Sequence, residues 1–450
     1  MSVRWKNSIV AGWGRYAAAS SRVARPERQR DLDSVLADAT SIAGGGLIAR
    51  GAGKAYGDAA QNNGADVASM LRLDRLLAFD AATGVLECEA GVTFRTLLDV
   101  FVPKGFVPPV SPGTAYATVG GALAADVHGK NHDRHGSFGD HVLWFDLLCA
   151  DGQTRRVSPE THADLFAATI GGMGLTGIVR RLAFRLLPGT GHVRVETQRI
   201  ADLEAFFAAF EAARATATFS VGWIDALAQG SKLGRGVFET AEFAPAAAAK
   251  PAPKTLPIPF DFPPFALSRS SVGAFNELYW RRAPSQKRAA MRPLDAFFYP
   301  LDRLSDWNRL YGKRGFFQFQ SVVPDATAFE ATRKMLAAVS AAGTASFLAV
   351  LKTLGGPGRG LLSFPLRGVT LALDVPNAPG ATALMAELER LALEAGGRIY
   401  LAKDALQAPA TFRSGYPNRA AFEDCLRRWD PQRRFASDLS RRLGLGEAQP

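Results

Sequence analysis

Cysteine is scarce in this chain: Cys88, Cys149 and Cys425 are the three among 450 residues, and they lie far apart. That spacing excludes a disulfide framework and matches no zinc motif, so a reducing compartment is expected. Long apolar runs are missing too. The N-terminal MSVRWKNSIVAGWGRYAAASS has no signal-peptide core, and no segment reaches the ~18 apolar residues needed to cross a bilayer. The expectation is a cytoplasmic protein, at most peripheral at the inner membrane. There is also no basic run interleaved with aromatics. The 53 Lys and Arg against 42 Asp and Glu give +11, spread as short pairs such as Arg155-Arg156 and Arg281-Arg282. This argues against nucleic acid and favours anionic ligands or membrane surfaces. A hydrophobic content of 47% and a charged content of 21% exclude global disorder, and the length implies two domains or one large composite.

What the chain does have is a glycine-dense stretch at residues 111 to 141, SPGTAYATVGGALAADVHGKNHDRHGSFGDH. Four of the six histidines (His128, His132, His135 and His141) fall in it, with small residues between them and no helical or alternating apolar pattern. Such density predicts a turn-rich surface laid against a ligand, with N–H groups free to donate. A second loop, RGAGKAYGD at residues 50 to 58, follows the short apolar strand Leu47-Ile48-Ala49. Its Gly51, Gly53 and Gly57 resemble a dinucleotide fingerprint. A Rossmann loop must open a helix, however, and this one runs into DAAQNNGAD, which is turn chemistry. A loop between strands whose amides form a phosphate nest fits better; a tight surface turn is the bland alternative.

Around these loops the pattern predicts an α+β first region. Residues 31 to 39 read as a helix. Leu86, Cys88 and Ala90 alternate with Glu87 and Glu89 as a half-buried strand, and Thr93 caps a helix with Phe94, Leu97, Leu98 and Phe101 on one face. Residues 143 to 150 and 154 to 157 flank the hairpin signal Asp151-Gly152. A helix from Ser158 to Ile170 and a strand to Pro188 follow. After residue 190 come an alanine-rich helix (201 to 215) and a strand (219 to 225). The Pro- and Ala-rich segment 241 to 271 is expected to be a mobile loop whose Phe260, Phe262 and Phe265 touch a membrane or an acyl chain, or else a solvated linker. Strands 316 to 323, 371 to 375 and 398 to 402, separated by helices 326 to 341 and 381 to 396, suggest an antiparallel sheet backed by helices. The tail, 416 to 444, looks docked.

Four segments together, RGAGKAYGD, PGTAYATVGGALAADVHGKNHDRHGSFGDHV, ADLFAATIGGMGLTGIV and YLAKD with WDPQRRFASDLSRRL, resemble the decaprenylphosphoryl-ribose 2′-oxidase family of the vanillyl-alcohol-oxidase class of flavoproteins. The resemblance runs in order through nearly the whole chain. It implies a two-domain FAD-binding fold of that class: residues 1–190 bind FAD, an inserted antiparallel-sheet substrate domain spans 191–397, and 398–450 return to the first domain. By the same resemblance Gly51, Gly53, Lys54, Ala55, Tyr56 and Gly57 cradle the pyrophosphate. Pro112, Gly113, Thr114, Val119, Gly120, Gly121, Val127, His128 and Gly129 line the flavin, with Tyr400 beside it, and Gly174 and Ile178 complete the nucleotide end. Lys54-Ala55 stands where the family usually has Arg-Ser. No His or Cys lies in residues 50 to 58, where relatives with covalent flavin attach it, so non-covalent FAD is expected. Ala372 occupies the place of a Cys that nitroaromatic inhibitors attack in some members, and Thr370 replaces a family Asn.

Oxidising a secondary alcohol needs a hydride acceptor, a group to take the hydroxyl proton, and fixed geometry between them. Lys403 is the expected base, because desolvation near a flavin lowers a lysine pKa; a surface lysine paired with Asp404 is the bland alternative. His128 is the other candidate base or a flavin contact. A zinc site at the four histidines competes weakly, since no cysteine or glutamate accompanies them, and no metal is expected. By the same resemblance Trp223, Tyr311, Gln318, Gln320 and Thr370 are the expected sugar or phosphate contacts, with core packing the bland alternative for Trp223. Gln318 and Gln320 alternate with Phe317 and Phe319 and so share a strand face. The resulting expectation is oxidation of the 2′-hydroxyl of a polyprenylphosphoryl ribose, completed to an epimerisation by a short-chain reductase partner. A soluble sugar or aldonolactone oxidase, or a non-catalytic nucleotide- or lipid-carrier-binding protein, are the alternatives.

Overall fold

A computed structural model describes residues 3–39, 45–245, 255–344 and 347–445. The N-terminal strands Trp5–Ala11 and Ala18–Ala24 form an antiparallel pair, and parallel strands Asp66–Ser69 and Leu47–Arg50 extend it to four. Beside it lies an antiparallel five-stranded sheet in the order Leu76–Asp80, Val85–Glu89, Ile178–Arg185, Val142–Leu148, Thr154–Val157. Its alternating apolar residues, Leu86, Cys88, Phe145, Leu182 and Phe184, are buried against the helix Phe94–Phe101. That helix starts where expected: Thr93 Oγ1 accepts from Thr96 N and Gly105 ends it in the left-handed region.

The second half builds an eight-stranded sheet with every neighbour antiparallel. Its order is Arg288–Pro293, His192–Ile200, Gly236–Phe243, Phe219–Ile224, Ala349–Leu354, Gly368–Pro376, Phe316–Pro324, Arg398–Ile399. The helices Leu203–Arg214, Asp325–Ala342 and Ala381–Glu394 cover one face, where Phe206, Met335 and Leu388 pack with Phe319, Leu351 and Leu371. The opposite face looks towards the glycine loops.

Several expectations are corrected. The helix predicted from Ser158 begins only at Ala163, because Ser158 Oγ accepts from the amides of Glu160 and Thr161 and closes a turn first. The last strand stops at Ile399; residues 400 to 404 turn, with Lys403 N and Asp404 N both donating to Tyr400 O. Glu89 is buried, receiving bonds from Gln29 Nε2 and Arg75 N. The stretch 111 to 141 contains the helix Val119–Ala124, capped by Thr118 Oγ1. Of the segment expected to be a mobile loop, 241 to 243 complete a strand. Residues 255 to 271 are tied down by the parallel pairing of Leu256–Pro257 with Leu304–Ser305 and by the Arg15–Asp261 ion pair. Residues 246 to 254 lie outside the described residues.

The tail is pinned to the first half at both ends of its run. Leu47 N donates to Arg434 O and Ala436 N to Leu47 O, while the Arg442 guanidinium bridges Asp58 and Asp404. Arg442 therefore holds the turn 400 to 404 against the first glycine loop. Among the described residues no helix is long and apolar enough to cross a membrane.

Candidate active site

A cavity of about 720 Å³ lies between the glycine loops and the uncovered face of the eight-stranded sheet. On the loop side, Gly53 has φ +65°, which a side chain would strain, and the amides of Ala52, Gly53, Lys54 and Ala55 donate to no acceptor among the described residues. Free amides on consecutive residues form an anion nest. Lys54 stands beside it, its ammonium 3.5 Å from the Trp13 ring centroid. The loop runs between strands and opens no helix, as its turn residues predict.

The sheet side is a cross-strand row. Val237, Trp223, Val350, Ala372 and Gln320 sit opposite one another on five adjacent strands, and all line the cavity. One step along, Lys352 and Gln318 also face it. Alternation explains the choice: the intervening Leu351, Leu371 and Phe319 belong to the core beneath the helices.

Between the walls sits the turn 400 to 404. Tyr400 N donates to Gln320 O and Tyr56 N to Ala402 O, so the turn is clamped by the sheet and the first glycine loop together. This places the Lys403 ammonium 3.8 Å from the Tyr56 ring centroid. Burial lowers its pKa to about 7, against the pull of Asp374 and with help from Lys352. Asp374 in turn is pushed up to about 7 by burial, although it accepts from Gln318 Nε2 and, at 2.8 Å, from Tyr311 Oη. His128 is held well below its usual pKa, first by burial and then by Lys352 and Lys403, and is neutral. Its Nε2 lies 2.9 Å from Gln320 Nε2, so it accepts and Nδ1 carries the proton.

The cavity brings together Gly51, Gly53, Lys54, Ala55, Tyr56, Pro112, Gly113, Thr114, Gly120, Gly121, Val127, His128, Gly129, Gly174, Trp223, Gln318, Gln320, Tyr400 and Lys403. Five other candidates lie behind its wall. At Gly57 a Cβ would come within 1.8 Å of Asp404 O, so this glycine admits the turn that carries Lys403. Val119 and Ile178 are core residues, fully buried. Tyr311 and Thr370 are buried too, and reach the cavity only through partners: Tyr311 fixes Asp374, and Thr370 Oγ1 accepts from Gln320 Nε2 at 3.1 Å.

Three cations and a carboxyl were missed by sequence reasoning. Lys130 and Lys352 line the cavity, and burial lowers each to about 8. Arg292 lines it too, paired with Glu239 at 2.7 Å. Asp374 is the fourth, in the middle of an apolar strand. The signal was present: Lys352 and Asp374 each interrupt an otherwise apolar strand, and Lys130 lies inside HGKNH.

The remaining histidines serve structure. His132 is buried, not a surface residue, and its Nδ1 accepts from Gly355 N; His141 Nε2 meets His135 O. Among the described residues no group of three His, Cys, Asp or Glu could hold a metal ion. Among the described residues no cysteine lines the cavity, and His128 is the one histidine that does. The lining suits a dinucleotide flavin: it combines a nest of free amides with many glycines and alanines, which leave room for close approach of rings.

Comparison with known proteins agrees. Residues 20–158 match the model of the FAD binding domain. Decaprenylphosphoryl-beta-D-ribose oxidase of Mycolicibacterium smegmatis is 36% identical over 449 residues, covering 97% of each chain. A protein of Streptomyces coelicolor named only from its position in the mprA 5′ region is 35% identical over 373 residues, 79% of this chain and all of that one. A putative D-arabinono-1,4-lactone oxidase of Neurospora crassa is 27% identical over 115 residues, 26% of this chain and 20% of that protein.

Proposed function

The chain belongs to the decaprenylphosphoryl-β-D-ribose oxidase family of FAD-dependent oxidoreductases, and from that premise we propose that it oxidises the 2′-hydroxyl of a polyprenylphosphoryl-β-D-ribose to a ketone. The observation that carries the reading is the extent of the likeness. It spans 97% of both chains and so includes the loop wall and the sheet wall of the cavity alike. The cavity's chemistry agrees: Lys130, Lys352 and Arg292 suit a phosphate-linked sugar better than a neutral lactone.

When bound, FAD supplies the hydride acceptor for the alcohol carbon. The amides of Ala52 to Ala55 and the ammonium of Lys54 hold its pyrophosphate, and the glycines of residues 113 to 129 allow close approach of the rings. Attachment is taken as non-covalent because residues 50 to 58 hold no His or Cys and, among the described residues, no cysteine lines the cavity. Lys403, with its pKa lowered to about 7, takes the hydroxyl proton on Nζ as its carbon loses hydride. The neutral His128 and Gln320, fixed by Thr370, orient the sugar, while Tyr311 and Gln318 fix Asp374 beside Lys403. The ketone product is then a substrate for a short-chain reductase partner, which completes an epimerisation. The exposed Phe260 and Phe265, with the basic net charge, suit peripheral contact with an anionic membrane carrying the lipid.

The test is turnover of farnesylphosphoryl-β-D-ribose by the FAD-loaded chain with a dye as electron acceptor. The expected product is lighter by two hydrogens, and deuterium at C2 slows its formation. Turnover of free aldonolactones alone would assign a soluble lactone oxidase instead. Purified protein that takes up no FAD would leave only a binding protein.

A further inference from the structure

The helix Arg269–Arg282 turns Val272 and Asn276 inward and leaves an apolar stripe on its outer side. The side chain at its centre facing the protein is Asn276, fully buried, while Phe275, Leu278 and Tyr279, spaced to share one stripe, are 45%, 52% and 43% exposed. Polar bonds anchor the inward side. Asn276 Nδ2 donates to Asp225 Oδ1 at 2.7 Å, and Arg235 pairs with both Asp225 and Glu277 at 2.7 Å. Val272 packs inward beside Asn276, and Phe275, Leu278 and Tyr279 are left partly exposed on the other side.

That apolar stripe continues the cavity. Phe275 and Tyr279 line it as well, Tyr279 packing edge-on against Trp223 with centroids 4.6 Å apart and Phe275 against Phe347 at 5.8 Å. The sheet row supplies the order: from Gln320, beside His128, it runs through Ala372 and Val350, two residues from Lys352 on the same strand, to Trp223, on which Tyr279 packs. A path along it from the base end to the helix passes Lys352 first and the exposed aromatics last, with Lys130 and Arg292 in the same lining.

We propose that the apolar face of the helix Arg269–Arg282 seats the first isoprene units of the substrate's lipid, with the phosphate held by Lys352, Lys130 and Arg292 behind it. This rests on the reading of the substrate as a prenylphosphoryl sugar. The order of groups along the path matches the order of groups in such a molecule: sugar, anion, hydrocarbon. Phe275 and Leu278 then set how strongly the enzyme distinguishes long from short chains.

The test is calorimetric titration of the FAD-loaded full chain with farnesyl phosphate and with dimethylallyl phosphate, neither of which can turn over. Wild type is expected to prefer the longer chain by roughly 10-fold or more, from the extra apolar area covered. Phe275→Ser and Leu278→Ser should each cut that preference by about 3- to 10-fold, and Phe275→Leu should restore most of it. Flavin content and melting temperature identify any variant that misfolds; Leu278, outside the cavity lining, provides the independent second site. Equal affinity for the two phosphates in wild type, or an unchanged preference in both serine variants, would overturn the proposal. So would a wild-type dimer that Leu278→Ser turns into a monomer, which would give this face to a second copy of the chain. If farnesyl phosphate binding depends on Phe275 while prenylphosphoryl ribose is never oxidised, the substrate reading fails and the lipid seat stands.

Discussion

The two faces of the eight-stranded sheet are made by alternate residues of the same strands, yet they have opposite characters. On the helix side Phe319, Leu351, Leu371 and Leu373 are packed to near-zero exposure. On the cavity side the neighbours in sequence are Gln318, Gln320, Lys352, Thr370 and Asp374. One step along a strand separates stability from chemistry. Asp374 and the uncharged side chains on the cavity side bond one another as Tyr311–Asp374–Gln318 and His128–Gln320–Thr370, leaving His128 Nδ1 without a partner among the described residues. Lys352 and Lys403 make no such bond among the described residues, and burial is expressed in their lowered pKa values. The cavity side is therefore kept reactive by a fold that the helix side holds together.

The comparison breaks first, if at all, at Lys403 and Phe319. Lys403→Ala should lower kcat by about 100- to 10,000-fold while FAD content and the urea midpoint hold. Phe319→Ala should cost ~3–5 kcal/mol of stability in urea unfolding while kcat per folded molecule changes little. A Lys403 variant that unfolds, or a Phe319 variant that loses turnover while stable, would show that the faces are not separable. Next in size, Lys352→Met should raise KM for a phosphate-linked sugar by about 10-fold, roughly the 1.4 kcal/mol of one lost charge contact. Its kcat should fall less.

The pH profile sharpens the same contrast. Burial lowers Lys403 to about 7, so its proton-accepting form is depleted below that pH and dominant above it. The kcat/KM should rise through neutrality to a plateau, and Lys403→Arg should flatten the profile at low activity, because guanidinium keeps its proton. The smallest effect is expected at Ala372, between Val350 and Gln320 in the cavity row. Ala372→Cys should change stability by less than ~1.5 kcal/mol yet introduce a thiol that iodoacetamide labels far faster than the buried Cys88, Cys149 and Cys425.

Much of this was legible in the sequence because it is local. The Thr93 cap, the Asp151-Gly152 hairpin, the alternation of Phe317 to Gln320 and the turn chemistry after Gly57 each follow from a few neighbouring residues. What was not legible depends on distant partners. Lys352 breaks an apolar run, but its place beside His128 and Lys403 depends on a strand far away in sequence. Tyr311 and Thr370 lie behind the wall because Asp374 and Gln320 come between, which no spacing reveals. The helix Arg269–Arg282 drew no reading from the sequence, and its orientation depends on Asn276 meeting Asp225, 51 positions away.

The most direct measurement is anaerobic mixing of the FAD-loaded protein with farnesylphosphoryl-β-D-ribose, followed at the visible flavin band. The account predicts bleaching by this compound within a single turnover, and none by free ribose at the same concentration. A flavin that stays oxidised with the prenylphosphoryl sugar, or bleaches equally well with the free sugar, would contradict it.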